Sequence, residues 1–293
     1  MRDCRFTLIT TIGPNRGPDS IYQLLDSFHS QQGELTWQFI VASRPDPVLA
    51  TRLQNDYSWV RYVTGRPGEG IPALRNRALK HAVGQYIVFI DDHIELPSDY
   101  LVGLERATQR GYDLFGGVVE NANPETAASW AHYFCEYSKW LPVVPEGPVS
   151  DLPGSNFAID RGLLTQYLPF PDHKFALESH LFSQCVRDGH KPQFVHDFSM
   201  RHFHVEQISE FWKHICFRYG IEFARSHGFG PLRRLLYAAA MPFTVLLLYA
   251  RVLRNAARSR FYLAKLLRCT PLLLATFAVR CSGEAVGYLR GSP

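Results

Sequence analysis

Two rhythms of apolar positions run through the first half of this chain. Residues 6–12 (FTLITTI) form a β-branched, apolar run that stops at Gly13-Pro14-Asn15. Ile21, Leu24, Leu25 and Phe28 follow at three- and four-residue intervals, the spacing of one helix face. Residues 37–42 (WQFIVA) and 60–63 read as further strands. Ile71, Leu74, Ala78, Leu79 and Ala82 then return to helical spacing, and Gly84 stops them before the apolar strand 86–90 (YIVFI). A strand is expected at 113–119, and helices at 129–140 and 177–187, the latter closed by Gly189. Strands alternating with helices predict an α/β fold, a mostly parallel sheet covered on both faces, which is why strand 86–90 can be apolar throughout.

That strand leads into FIDDHIELP, residues 89–97. In open α/β sheets ligands bind beyond the carboxyl ends of the strands, so Asp91, Asp92 and His93 stand where chemistry is expected. They supply oxygen ligands and one imidazole, a set suited to a divalent metal. His202-Phe203-His204, with Glu206, makes a second cluster; two histidines one residue apart at a strand end would share a face.

Composition narrows the class. A formal charge of +4 over 293 residues does not argue for nucleic acid. The six cysteines are scattered, without a Cys-x-x-Cys pair, and read as reduced thiols. The N-terminus enters a strand pattern within a few residues and shows no signal-peptide pattern, which places the first domain in the cytosol.

The end of the chain differs. Residues 235–250 carry no charge, about 24 Å of helix at 1.5 Å per residue, short of a bilayer core of about 30 Å. Pro242 interrupts this run, and the second apolar run, 269–279, is shorter. Between them lie Arg251, Arg254, Arg258, Arg260, Lys265 and Arg268. A spanning hairpin would put these cations opposite a cytosolic domain, against the positive-inside tendency. The expectation is therefore a monotopic arrangement on an anionic membrane surface, with a single span or a soluble helical subdomain as alternatives. The division expected is 1–230 for the α/β domain and 231–293 for a helical membrane-associated segment.

In order along the chain, GIPALRNRALKHAVGQYIVFIDDHIELPSDYL (70–101), LPGSNFAIDRGLL (152–164) and ALESHLFSQCVRDGHKPQFV (176–195) resemble the motifs of the family 2 glycosyltransferases, nucleotide-sugar-dependent enzymes of GT-A (Rossmann-like) fold. The ending GEAVGYLRG is similar to the tail of membrane-bound members. The resemblance implies donor contacts at Arg75, Asn76, Asp91, Asp92 and Asn156, and a metal at Asp91 and His93, where the family commonly has two acids. It places Glu178 at the catalytic general base, with Leu177 and His180 replacing the acids on either side and Asp172 as the next candidate. Either His202 or His204 would reach the diphosphate or its metal. The donor implied is of UDP or GDP type, although residues 42–46 (ASRPD) lack the acid that usually reads the base. The acceptor implied is a lipid-linked or cell-envelope glycan at the cytoplasmic membrane face, reached by an inverting displacement, with Mn2+ favoured over Mg2+ because of the imidazole. A catalytically weak nucleotide-sugar-binding protein and a histidine-rich metal hydrolase are the competing readings.

Overall fold

The structure, a computed structural model, describes residues 4–13, 19–32, 35–171 and 177–291. Pro14, Asn15 and Asp172 lie outside the described residues. Two compact units divide the chain: residues 1–120 with 145–202, and residues 121–144 with 203–293.

The first unit is built on a sheet of nine strands among the described residues. β1 (Phe6–Thr11) lies between β2 (Trp37–Ser43) and β4 (Tyr86–Ile90), parallel to both, and β3 (Val60–Thr64) continues the parallel half beyond β2. All residues of β1 and β4 are buried because helices cover both faces. On one face α3 (Ile71–Leu79) and α7 (Leu177–Arg187) pack Leu74, Ala78, Leu181 and Phe182 against Ile9, Ile40 and Phe89. On the other, Phe28 of α1 (Asp19–His29) meets Phe39 at 4.9 Å between ring centroids. Gly84 is required where it stands: a Cβ there would collide with the backbone of Phe6 and Thr7.

Beyond β4 the sheet turns antiparallel. β8 (Asn156–Asp160) pairs with β4 and with β6 (Leu114–Asn121), and β9 (Gln193–His202) follows β6. The two-residue strands β5 (Ile94–Glu95) and β7 (Gly147–Pro148) both pair with β9. α2 (Pro47–Asp56), α4 (Tyr100–Gln109) and α6 (Arg161–Thr165) complete the unit. The sheet is thus the mostly parallel α/β arrangement expected, made mixed by the antiparallel strands beyond β4.

The second unit is helical: α5 (Ala127–Tyr137), the short α8 (Ile208–Glu210), a π-helix (Phe211–Phe217), α9 (Arg218–Ser226), α10 (Pro231–Ala256) and α11 (Arg260–Arg290). Both terminal helices run far past the apolar stretches that the sequence displays. At 26 and 31 residues, about 39 and 46 Å, they are long and apolar enough to cross a membrane by length and composition. An apolar run ends at its first charge, whereas a helix continues through arginine, a good helix former whose stem packs and whose head reaches water. Pro242 and Pro271 lie inside these helices and end neither.

Candidate active site

Asp91, Asp92 and His93 sit in the turn between β4 and β5, and the two acids divide the labour. Asp92 is buried, and its Oδ1 lies 2.8 Å from His93 Nδ1. A carboxylate only accepts, so Nδ1 carries the proton and Nε2 keeps the lone pair that a metal needs. The other oxygen of Asp92, Oδ2, is buried without a hydrogen bond.

Asp91 faces His202. β5 pairs with β9 so that Ile94 is opposite His202, which folds the end of β9 back onto the turn after β4. His202 Nε2 then lies 3.4 Å from Asp91 Oδ2, and the His93 and His202 rings meet edge to face at 4.2 Å. Burial pushes the Asp91 carboxyl up, but the His202 hydrogen bond, the positive charges that His93 and His202 carry once protonated in acid, and the charge of Arg75 outweigh it and hold the group well below the usual carboxylate range. One ligand atom each from Asp91, His93 and His202 falls within 4.8 Å of the others. A hard carboxylate oxygen with two imidazole nitrogens fits a divalent transition ion.

Arg75, on α3, and Glu178, in the first turn of α7, are brought together: Arg75 Nη1 donates to Glu178 Oε1. Arg75 is only 4% exposed and stacks over the Phe89 ring at 5.0 Å. Gly154 lies against Glu178, where a Cβ would press on its side chain, so the loop before β8 shapes this wall.

Two of the asparagines singled out by sequence are tied to backbone. Asn76 donates from Nδ2 to Phe170 O at 2.7 Å and accepts at Oδ1 from Phe170 N at 2.8 Å. It fixes the segment that leads toward α7. Asn156 is fully buried, donating to Val118 O and accepting from the Tyr100 hydroxyl.

His204 belongs to the second unit. β9 ends at His202, so the alternation that would align the two side chains stops there. His204 belongs to a cluster with His132 and Glu136 of α5. There the hydrogen bonds argue for structure: His132 Nδ1 accepts from Val205 N at 3.1 Å. The proton of the neutral ring is therefore on Nε2, 2.9 Å from Glu136 Oε2. The ring stacks on Phe211 at 3.7 Å, and Asn123 clamps the backbone of His204 and the carboxylate of Glu206.

Sequence reasoning missed two features. His132 and Glu136 stand at i,i+4 inside an expected helix, a spacing that could have flagged them. The second is the loop between β3 and α3, where Glu69 accepts both Nε and Nη2 of Arg77 and Arg66 N, while Arg44 binds the carbonyls of Gly68 and Glu69. Hydrogen bonds from Arg77 above all, then from the Arg66 backbone, pull the Glu69 carboxyl down to about 2. Its signal, three charged side chains spread between Arg44 and Arg77, has no period to read. Asp46, at the end of β2, caps α2 by accepting from Leu49 N at 3.0 Å.

The model of the family described as "Glycosyl transferase family 2" matches residues 14–168, more than half of the chain. The chain belongs to glycosyl transferase family 2. It is a glycosyltransferase, as the motifs implied. No curated protein sequence matches it. Among solved structures, the mannosyltransferase PcManGT from Pyrobaculum calidifontis, in complex with GDP-Man and Mn2+, is 16% identical, with a TM-score of 0.58 over 96% of this chain and 86% of its own. S. aureus TarS (residues 1–349) is 14% identical, with a TM-score of 0.53 over 97% and 90%. GalNAc-T7 with UDP, GalNAc and Mn2+ is 11% identical, with a TM-score of 0.55 over 76% of this chain; the transferase spans about half, 51%, of that longer protein. At these identities the likeness establishes the GT-A fold of the transferase.

Proposed function

We propose that this transferase moves a sugar from a UDP- or GDP-type donor to a lipid-linked or cell-envelope glycan, with inversion, at the cytoplasmic face of a membrane. The observation that carries this reading is the grouping of Asp91, His93 and His202 at the carboxyl end of β4, an oxygen-and-imidazole donor set within 4.8 Å. Mn2+ with GDP-Man in PcManGT and with UDP in GalNAc-T7 supports a divalent ion and a nucleotide donor here. A divalent ion held by these residues supplies the positive charge that a departing nucleoside diphosphate requires. Asp92 orients His93, and Arg75 offers further guanidinium N–H groups to phosphate oxygens.

Glu178 is the general base in this reading. The acceptor oxygen attacks the anomeric carbon as its proton passes to the Glu178 carboxylate, and the bond from that carbon to the diphosphate breaks with its electron pair on the leaving oxygen. Arg75, which holds this carboxylate, sets its position. Residues 1–230 carry this chemistry, and the apolar, basic segment 231–293 supplies membrane attachment. The same Arg75–Glu178 pair favours one second reading, a nucleotide-sugar-binding protein whose base is permanently neutralised.

The test is release of free nucleoside diphosphate from a panel of nucleotide sugars with Mn2+, with Mg2+ and with EDTA. Turnover with Mn2+ that EDTA abolishes is expected. Chelator-insensitive turnover would remove the metal assignment, and retained anomeric configuration in the product would exclude a single displacement. Nucleotide binding without turnover selects the second reading.

A further inference from the structure

Residues 223–283 contain ten of the 31 lysines and arginines and none of the 27 aspartates and glutamates. The structure folds this acid-free stretch mainly into α10 and α11, and the two helices have different surroundings.

α11 is enclosed on one side by protein. Gly220 approaches the α11 backbone at Arg280, Gly283 meets that of Phe217, and Gly287 that of Ile221, each too close to admit a Cβ. Trp212 Nε1 donates to Thr276 Oγ1 at 2.9 Å. The helices that α11 touches carry Glu136, Lys213, Glu222 and Arg225, charges that hydrocarbon does not accept. α11 therefore lies on the water-facing body of its own unit.

α10 runs alongside it, joined near one end by Arg234 to Tyr288 O at 2.7 Å and further along by Tyr249 to Thr270 at 2.9 Å. Met241, Val245 and Leu248 face α11. The opposite face is bare: Leu235, Leu236, Phe243, Leu246 and Leu247 are 58–70% exposed. Exposed arginines bracket this strip, Arg233 before it and Arg254 and Arg258 after it. An apolar strip of this length on one side of a helix, flanked by cations with no acid among them, fits an anionic bilayer surface by charge as well as by apolarity.

We infer that α10 alone makes the lipid contact, lying in the plane of an anionic leaflet with Leu235, Leu236, Phe243, Leu246 and Leu247 in the acyl boundary and Arg233, Arg254 and Arg258 on the headgroups. α11 is its protein-side platform and does not enter the bilayer. The inference rests on the membrane attachment proposed above and specifies its geometry and lipid partner.

The test uses the full chain with Cys4→Ser, so that only the five buried thiols remain beside an introduced one. Nitroxides on Leu236→Cys, Phe243→Cys and Ala250→Cys are measured by power-saturation EPR on vesicles of phosphatidylcholine with phosphatidylglycerol. All three labels should sit at one shallow depth. In flotation, the Arg254→Ala/Arg258→Ala double variant should bind these vesicles roughly 25-fold more weakly, about fivefold per cation, and bind pure phosphatidylcholine as the parent does. A Phe243 label at the bilayer midplane with shallow ends would show a spanning helix and overturn the inference. So would labels in water on a protein that still floats, or spin–spin broadening that shows the strip covered by a second copy. Failure of the parent chain to float on either vesicle would instead overturn the membrane attachment itself.

Discussion

Asp91 and Asp92 are adjacent and chemically identical, yet one faces the two histidines across a partly open site and the other is buried behind His93. Their roles should separate in the laboratory. Asp92→Ala should weaken Mn2+ binding by about 10- to 100-fold, the usual cost of losing a group that orients a ligand, measured by Mn2+ EPR on the purified protein. His202→Ala should weaken the same binding, while His204→Ala should leave it unchanged because that ring belongs to the His132–Glu136 cluster. Equal losses from both would contradict the two-cluster arrangement. Glu178→Gln should lower turnover about 100-fold or more with donor affinity held within a few-fold; near-normal turnover would remove Glu178 from the base role. The residue types at these positions were readable from the chain. Their pairing was not, since Arg75 and Glu178 are 103 positions apart and no local period links them.

Among the elements, the short strand β5 has the largest effect for its size. By pairing with the last residues of β9 it turns a distant histidine onto the end of β4. The long strands and amphipathic helices of the first unit were legible because burial imposes period 2 or 3.6 on them. Two-residue strands and the exact end of β9 leave no such trace, and that end decided which histidine joins Asp91. The loop between β3 and α3 gives a test in pH. Glu69 titrates at about 2 in the folded protein against an ordinary 4.5, so its ion pairs stabilise the fold fully above about 4.5 and lose that contribution as pH falls toward 2. The melting-temperature difference between the parent and Glu69→Gln should therefore be largest above pH 4.5 and shrink steadily below it. A difference independent of pH would show that the carboxylate charge is not what braces the loop.

Over the whole molecule, composition divides the chain at residue 230, where the apolar and basic segment begins, while packing gathers residues 121–144 with everything after 202. α11 covers α5, the π-helix and α9, so removing residues 260–293 should uncover apolar surface. The shortened chain should bind an anilinonaphthalene sulfonate dye strongly and lose its cooperative melt; a sharp melt without dye binding would show that α11 is dispensable. Sequence alone determined the α/β class, the family, the Asp-Asp-His turn at the end of β4 and the apolar, basic character of the tail. These are local properties: periodicity follows from which face a residue buries, and a motif lies within one strand and its turn. Only the tertiary structure decided that His202 and not His204 meets Asp91, that Arg75 holds Glu178, that Asn76 and Asn156 serve the backbone, and that α10 has a bare apolar face while α11 is packed. Each of these depends on contacts between residues far apart in the chain, which are set by strand order and helix packing and leave no mark on the spacing of neighbours.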